Sequence, residues 1–362
     1  MVTLLNHLSQ SWTDSAIRSL DGLRRGFTDA YPVNEDPPPV TPYEVVYEGG
    51  KVRLRYYRAV GRPQATPLLI AFPLIKRPYV LDLMPGCSVI QNLTRQGFDV
   101  YLTDWQPPTR AESWRGVDVY VNNDLANAVR AIQIREGAPQ VSMLGYCFGG
   151  LLATIYTALH PQTVKNLITL TLPLDMSVRE LAFTNFMDHL RPRTLDLLLS
   201  VYGNCPAWVI NSAFKAMGPV HTLLGKHIDL YRNGDRSGYG EMFERFEDWA
   251  GRDVPLAGQV CREVTQGIFQ QNLLCQNRFQ VGGRTVHLTD ITCAVLNVVA
   301  EHDTIIHPTS SLPFAEAVDS VDAQNLLVPT GHMGVVVSGV AHKKLWPQVC
   351  AWLKERDGQL RH

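Results

Sequence analysis

The chain has 362 residues, 45% of them hydrophobic and 19% charged, so it can bury a sizeable core, and wholesale disorder is excluded. A formal net charge of −1 and the lack of any run rich in Lys or Arg argue against a nucleic-acid-binding surface. The seven cysteines are scattered and contain no C-x-x-C pair, so we expect no disulfide framework, no metal site and no cofactor.

The first 44 residues are predicted to form an N-terminal helix and a Pro-rich linker. Apolar residues recur at roughly helical spacing over 1–30, and the prolines of 31–44 favour an extended course across the surface. The helix is either a packing element, which we favour, or a docking surface for a partner subunit. The start lacks the basic region of a signal peptide, and the most apolar stretch, 67–75, is too short to cross a bilayer. We therefore expect a cytoplasmic protein without a membrane span.

From about residue 45 the sequence alternates between strand and helix patterns, which predicts an α/β protein with a mostly parallel central sheet flanked by helices. Helices are predicted over 121–137 and near 341–356. The predicted strands cover residues 52–58, 67–72, 97–105, 141–145, 166–173, 293–300 and 324–329.

The alternation stops over residues 176–288, a segment rich in large apolar side chains. Read as structure alone, this segment is a second small core. Its position between two sheet strands also predicts a cap, or lid, inserted into an α/β-hydrolase core formed by 45–175 and 289–362, which would shield the site from water. Both interpretations can hold together.

The motif that carries chemistry is Gly145-Tyr146-Cys147-Phe148-Gly149, placed between an apolar strand and an apolar helix. It matches the nucleophile elbow G-x-S-x-G with Cys in place of Ser. The N–H groups of the following helix favour a thiolate at Cys147, although most cysteines are buried structural thiols. The Phe148 N–H would donate to an oxyanion, and a second donor is expected in the loop after strand 67–72, near Leu74 or Ile75.

The order nucleophile, acid, histidine predicts the two remaining members of a catalytic triad. Asp303 follows a late strand, and His332 lies in a loop after the last one. Asp303 would orient His332, and His332 would deprotonate Cys147.

Other residues could fill these positions. Glu301 is a rival acid, and His302 and His307 are rival histidines, but all three lie nearer the acid loop than the last loop. Asp104 also ends a strand, yet it precedes the nucleophile in the chain, so a structural role is expected.

With the elbow and triad located, the chain resembles the catalytic subunit of polyhydroxyalkanoate synthases, most closely the short, two-subunit types, over most of its length from about residue 42. The larger single-subunit types carry a long N-terminal domain, and here only about forty residues precede the sheet. The resemblance is carried by the segments KRPYVLDLMPGCS (76–88), GFDVYLTDW (97–105), LGYCFGG (144–150), WAGRDVPLAG (249–258), FQQN (269–272), QVGGRTVHLTDI (280–291) and PTGHMGVVVSG (329–339).

The resemblance implies that Cys147 is the acyl acceptor, Asp303 the triad acid and His332 the base. It implies an (R)-3-hydroxyacyl-coenzyme A substrate, with 3-hydroxybutyryl-CoA expected, and a growing polyester chain. It also implies a second, non-catalytic subunit, or a homodimer, at the surface of cytoplasmic polyester granules. The family usually has His directly after the acid, where this chain has Thr304, so His302 and His307 have no clear counterparts.

Two alternatives remain at this point. A Cys-dependent hydrolase of the dienelactone hydrolase kind carries a similar elbow, but it is shorter and lacks a cap of this size. A non-catalytic granule-associated protein on a retained hydrolase scaffold would not need an intact triad.

Overall fold

A computed structural model describes residues 36–178, 187, 189–217 and 239–357. The helix predicted over residues 1–30 lies outside these ranges. The fold is organised on one eight-stranded sheet with strand order β1-β2-β4-β3-β5-β6-β7-β8. Its strands are β1 (Glu44–Gly49), β2 (Val52–Tyr57), β3 (Leu68–Ala71), β4 (Val100–Trp105), β5 (Val141–Tyr146), β6 (Val164–Leu170), β7 (Ala294–Ala300) and β8 (Ala323–Val328).

Strands β3 to β8 pair in parallel, and only β1 and β2 run antiparallel to their neighbours. All seven predicted strands are present within a few residues of their predicted bounds. β1 is an additional strand that begins at Glu44, the last residue of the predicted linker. The mostly parallel sheet predicted from the alternating pattern is therefore confirmed.

Helices lie between the strands, and three of them are extended by wider π-helical turns. The helix predicted over 121–137 is observed as a π turn, Val119–Leu125, followed by an α-helix that ends at Glu136. The α-helices are α1 (Val89–Arg95), α2 (Ala126–Glu136), α3 (Phe148–Leu159), α4 (Pro192–Tyr202), α5 (Ala207–Met217), α6 (Tyr239–Ala250), α7 (Gly258–Arg262, continued by the π turn Glu263–Gln270), α8 (Pro308–Ser311), α9 (Phe314–Ala317), α10 (Gly334–Val337) and α11 (Trp346–Asp357, preceded by the π turn Ala341–Leu345).

The core lies on both faces of the sheet. Along β3, Leu69 and Ala71 belong to the apolar cluster that includes helix α3, whereas Leu68 and Ile70 belong to the opposite cluster with α1 and α11. This alternation follows from the two-residue period of a strand. Because both faces are covered, the central strands can be apolar throughout. They therefore appear in the sequence as apolar runs that predict strands.

The segment predicted as a cap, 176–288, is mostly helical where the structure describes it, and it contains α4 to α7. Two short β-hairpins complete the fold, one pairing Asp82–Met84 with Cys87–Ser88 and one pairing Gln280–Val281 with Arg284–Thr285. Within the described ranges, no helix combines the length and apolar character needed to cross a bilayer.

Candidate functional site

Cys147 occupies the sharp turn between β5 and α3. Its backbone has φ 51° and ψ −117°, in the left-handed region that non-glycine residues rarely adopt. Glycine is needed beside it because a Cβ on Gly149 would lie 2.0 Å from the Ala71 carbonyl oxygen. A Cβ on Gly145 would lie 2.5 Å from the Gly150 Cα. The elbow predicted from the motif is therefore present, and it presents the sulfur at the N-terminus of α3.

Asp303 lies three residues after β7, at the same edge of the sheet as Cys147. Its side chain is buried, and its Oδ1 accepts hydrogen bonds from the Ile305 and Ile306 N–H groups at 2.8 and 2.9 Å. These bonds fix the carboxylate within its own loop. Its second oxygen, Oδ2, is left to face the loop that follows β8.

His332 lies in that loop, four residues after β8, and joins the other two residues. Its Nδ1 is 2.7 Å from Asp303 Oδ2, and the Cys147 sulfur lies near enough to the ring to influence its pKa. The imidazole is buried. The structure thus brings together the three residues that the sequence predicted, in the arrangement of acid, histidine and nucleophile.

The charges around His332 favour its protonated form. Burial alone would lower the pKa of the imidazole, but the Asp303 carboxylate and the Cys147 sulfur outweigh burial and raise the pKa to about 10. An imidazolium held between a carboxylate and a sulfur stabilises negative charge on that sulfur. The arrangement can therefore supply a thiolate nucleophile and, afterwards, a proton donor.

The rival residues lie elsewhere. Glu301 and His302 are exposed on the strand-end loop, and the His307 ring bonds to Thr309 at 2.7 Å. Asp104 is buried in ion pairs with Arg55 at 2.6 Å and Arg77 at 3.3 Å, as its expected structural role requires.

One predicted oxyanion donor, the Phe148 N–H, directly follows the nucleophile, and the loop that carries the other two candidates begins next to the elbow. Phe148 is the first residue of α3, so its N–H has no partner within the helix. Leu74 and Ile75 belong to residues 72–77, which follow β3 and which we call the β3 loop. The carbonyl oxygen of Ala71, the last residue before this loop, lies against Gly149 of the elbow. The role of the three residues in binding an oxyanion stays a prediction.

Tyr146 contacts His332, and the sequence did not predict this contact. Its hydroxyl donates to the His332 carbonyl oxygen at 3.2 Å and approaches Met333 Sδ at 3.0 Å, and its ring lies 5.5 Å from the imidazole. Burial, followed by the nearby Cys147 and Asp303, raises the pKa of Tyr146 well above its ordinary value, so the phenol stays neutral. The only signal was its position inside the elbow motif.

No group of three or more His, Cys, Asp or Glu side chains suited to a metal ion occurs among the described residues.

Comparison with solved structures supports the same fold. The structure resembles a monoacylglycerol lipase from Paleococcus ferrophilus, with a TM-score of 0.55 and 13% identity over 85% of this chain and 100% of the lipase. It also resembles a thermophilic esterase from Thermogutta terrifontis, with a TM-score of 0.51 and 12% identity over 89% of this chain and 100% of the esterase. A sequence profile described as "alpha/beta hydrolase fold" matches residues 81–214. The predicted α/β-hydrolase fold is confirmed.

Sequence relatives are more specific. The chain is 34% identical to the poly(3-hydroxyalkanoate) polymerase subunit PhaC of Haloferax mediterranei, over 98% of this chain and 72% of that protein. It is 33% identical to the protein of the same name from Allochromatium vinosum, over 88% and 89%, and 32% identical to that from a Synechocystis species, over 97% and 93%. At this identity and coverage, the chain belongs to the poly(3-hydroxyalkanoate) polymerase family.

Proposed function

We propose that this chain is an acyltransferase that polymerises (R)-3-hydroxyacyl groups from coenzyme A thioesters into polyhydroxyalkanoate, through an acyl thioester on Cys147. Membership of the polymerase family supports the overall reaction. The observation that carries the proposed mechanism is the series Asp303–His332–Cys147, in which the carboxylate bonds to an imidazole that acts on the sulfur at the nucleophile turn.

The first step is acyl transfer to the enzyme. The Cys147 thiolate attacks the thioester carbonyl carbon, and the tetrahedral oxyanion forms near the Phe148 N–H and a donor of the β3 loop. The intermediate collapses, the carbon–sulfur bond to coenzyme A breaks, and the leaving thiolate takes the proton of His332. One thioester replaces another at little net cost, which suits cysteine to this substrate.

The second step transfers the acyl group to a hydroxyl. We assign deprotonation of that hydroxyl to His332, because Asp303 is buried and both of its oxygens are engaged, one by backbone N–H groups and one by the imidazole. The alkoxide attacks the acyl-Cys147 carbonyl, the carbon–sulfur bond breaks, and an oxygen ester forms. Cys147 leaves as a thiolate beside the reprotonated His332.

The surroundings of the site are assigned as follows. Residues 176–288 act as a cap that limits hydrolysis of the acyl enzyme, and the α/β core begins with β1 at Glu44, after the N-terminal segment. The enzyme works with a second, non-catalytic subunit, as a homodimer, or both, at the surface of cytoplasmic polyester granules. The expected substrate is 3-hydroxybutyryl-CoA.

The test is to incubate the purified chain with (R)-3-hydroxybutyryl-CoA while following thiol release and turbidity together. Coenzyme A release coupled to insoluble polymer is expected, with an acyl adduct on Cys147 detectable by mass spectrometry. Cys147→Ala should abolish both signals. Cys293→Ala is the matched control, because Cys293 is also partly exposed and lies at the opposite end of β7 from Asp303.

Each alternative has its own outcome. Stoichiometric free hydroxy acid without polymer would indicate a hydrolase. Unchanged turnover in Cys147→Ala would refute the covalent mechanism. Full specific activity of this chain alone would refute the requirement for a second subunit.

A further inference from the structure

The β3 loop, residues 72–77, is fixed to the sheet at its first residue. The Phe72 N–H donates to Thr103 Oγ1 at 2.9 Å, and the Trp105 indole N–H donates to the Phe72 carbonyl at 2.7 Å. These two bonds set where the loop leaves β3. They do not reach Leu74 and Ile75, which carry the predicted oxyanion donor.

The far half of the loop is fixed by residues 249–254, which we call the clamp segment and which belong to the proposed cap. The Val254 N–H donates to the Ile75 carbonyl at 3.0 Å, and the Trp249 indole N–H donates to the Arg77 carbonyl at 2.7 Å. The positions of Leu74 and Ile75 therefore depend on a segment that lies far from them in sequence.

Lys76, between these two bonds, is held by charge as well. Its Nζ lies 2.7 Å from Asp253 Oδ1, donates to the Ala250 carbonyl at 2.7 Å, and lies 5.0 Å from the centre of the Trp249 ring. Its side chain is only 13% exposed and that of Asp253 only 2%. Asn211, from α5, bonds to the other oxygen of Asp253. The ammonium group is thus enclosed by the clamp segment.

From this geometry we infer that Lys76 and Asp253 are positioning residues, which couple the clamp segment to the β3 loop and so set the oxyanion donor at Leu74 or Ile75. The inference rests on the proposed function. It gives a role to two of the segments that carry the family resemblance, 76–88 and 249–258, whose residues the proposed chemistry does not otherwise use.

The choice of a charged pair supports this role. An apolar pair of similar volume would bind the two segments as well or better, because burying two charges has a large desolvation cost. A buried ion pair instead tolerates only one relative placement, since a shift leaves a charge without a partner. A loop that must hold an N–H within a fraction of an ångström of a developing oxyanion benefits from that restriction.

The test compares Lys76→Met, Asp253→Asn and the double variant with the wild-type protein. Lys344→Met is the matched control, because Lys344 is exposed. Three quantities are measured: kcat and KM for (R)-3-hydroxybutyryl-CoA, the rate at which iodoacetamide alkylates Cys147, and the thermal midpoint. Alkylation needs the thiolate and not the oxyanion donors, so it separates the β3 loop from the Cys147–His332 pair.

We expect each single variant to lower kcat roughly 10- to 100-fold, less than the loss of a whole oxyanion donor, with KM changed less than about threefold. Alkylation should stay within about twofold of wild type. The double variant should recover thermal stability, because it leaves no unpaired charge, but should not recover kcat.

Several results would overturn the inference. They are an unchanged kcat in a folded single variant, a parallel loss of alkylation and kcat, or recovery of kcat together with stability in the double variant. If the single variants do not accumulate as folded protein, the double variant alone gives the comparison. A wild-type protein that releases no coenzyme A, or that forms only hydroxy acid, would instead contradict the proposed function.

Discussion

The contact between Asp303 and His332 provides a sharp test of the proposed triad. In Asp303→Asn the new amide oxygen can still accept from the Ile305 and Ile306 N–H groups, so the loop should keep its shape. The amide nitrogen would then face His332 Nδ1, where the carboxylate oxygen lies at 2.7 Å in the wild type. That contact favours the tautomer with its proton on Nε2, which cannot accept a proton from Cys147.

The size of the effect follows from the charge that is lost. A pKa raised from 6.5 to about 10 stabilises the imidazolium by roughly 5 kcal/mol, at about 1.36 kcal/mol for each unit. Coulomb's law gives a similar figure, about 6 kcal/mol for opposite charges 2.7 Å apart at an effective dielectric constant of about 20. Most of this is lost with the carboxylate, so we expect kcat to fall roughly 10³- to 10⁴-fold.

The assay is steady-state release of coenzyme A from (R)-3-hydroxybutyryl-CoA. Thermal unfolding, followed in parallel, separates lost chemistry from lost structure. Asp319→Asn, an identical change at an exposed carboxylate, is the control and should keep wild-type kcat. If folded Asp303→Asn keeps more than about a tenth of the wild-type kcat, the assignment of Asp303 is wrong, and Glu301 becomes the acid to test.

Three further predictions concern the charge on His332, Gly149 in the nucleophile elbow, and Asp104, the acid to which we assign a structural role. Although burial lowers it, the Asp303 carboxylate and the Cys147 sulfur raise the pKa of His332 to about 10, so its positive charge should assist attack by the neighbouring sulfur. His332→Gln should therefore slow alkylation of Cys147 by iodoacetamide at pH 7 about tenfold or more, and an unchanged rate would contradict this. Gly149→Ala should lower the free energy of unfolding by about 3 kcal/mol or more in denaturant titrations, whereas Gly240→Ala, with open space around its Cβ, should not destabilise the protein. Asp104→Asn should lower the free energy of unfolding by about 3–5 kcal/mol, because it leaves buried Arg55 and Arg77 without their carboxylate partner. The folded fraction should keep a kcat near that of the wild type, and a selective loss of kcat would indicate a catalytic role instead.

The parts of the fold that sequence predicted well are those whose local pattern is decided by burial. The strands β3 and β5 are covered on both faces, so they appear as continuous apolar runs bounded by turns. β1 was missed as a strand because it is largely exposed and carries Glu44 and Glu48. Its place in the sheet comes from antiparallel pairing with β2, which its own sequence does not reveal.

The candidate site likewise contains residues that the sequence predicts and contacts that it does not. Cys147, Asp303 and His332 could be predicted because each follows a strand in the order that the fold imposes, and parallel strands end at one edge of the sheet. The bond from the Tyr146 hydroxyl to the His332 carbonyl joins residues 186 apart, and no pattern in either segment specifies it. The pairing of Lys76 with Asp253 was equally invisible, since a lysine and an aspartate are ordinarily solvated surface residues.

The triad geometry does not by itself explain transfer rather than hydrolysis, since the same fold is found in a lipase and an esterase. Asp303 and His332 are buried, whereas Cys147 is partly exposed. An acceptor would therefore approach the site from the side of the acyl group on Cys147. A well-oriented acceptor in the same complex can reach an effective concentration of about 10⁵ M or more, far above that of liquid water. Polymerisation under the proposed mechanism therefore requires, above all, that the hydroxyl end of the growing chain is held beside the acyl-Cys147. Residues that orient this chain end should then matter more for product choice than residues that merely keep the site dry.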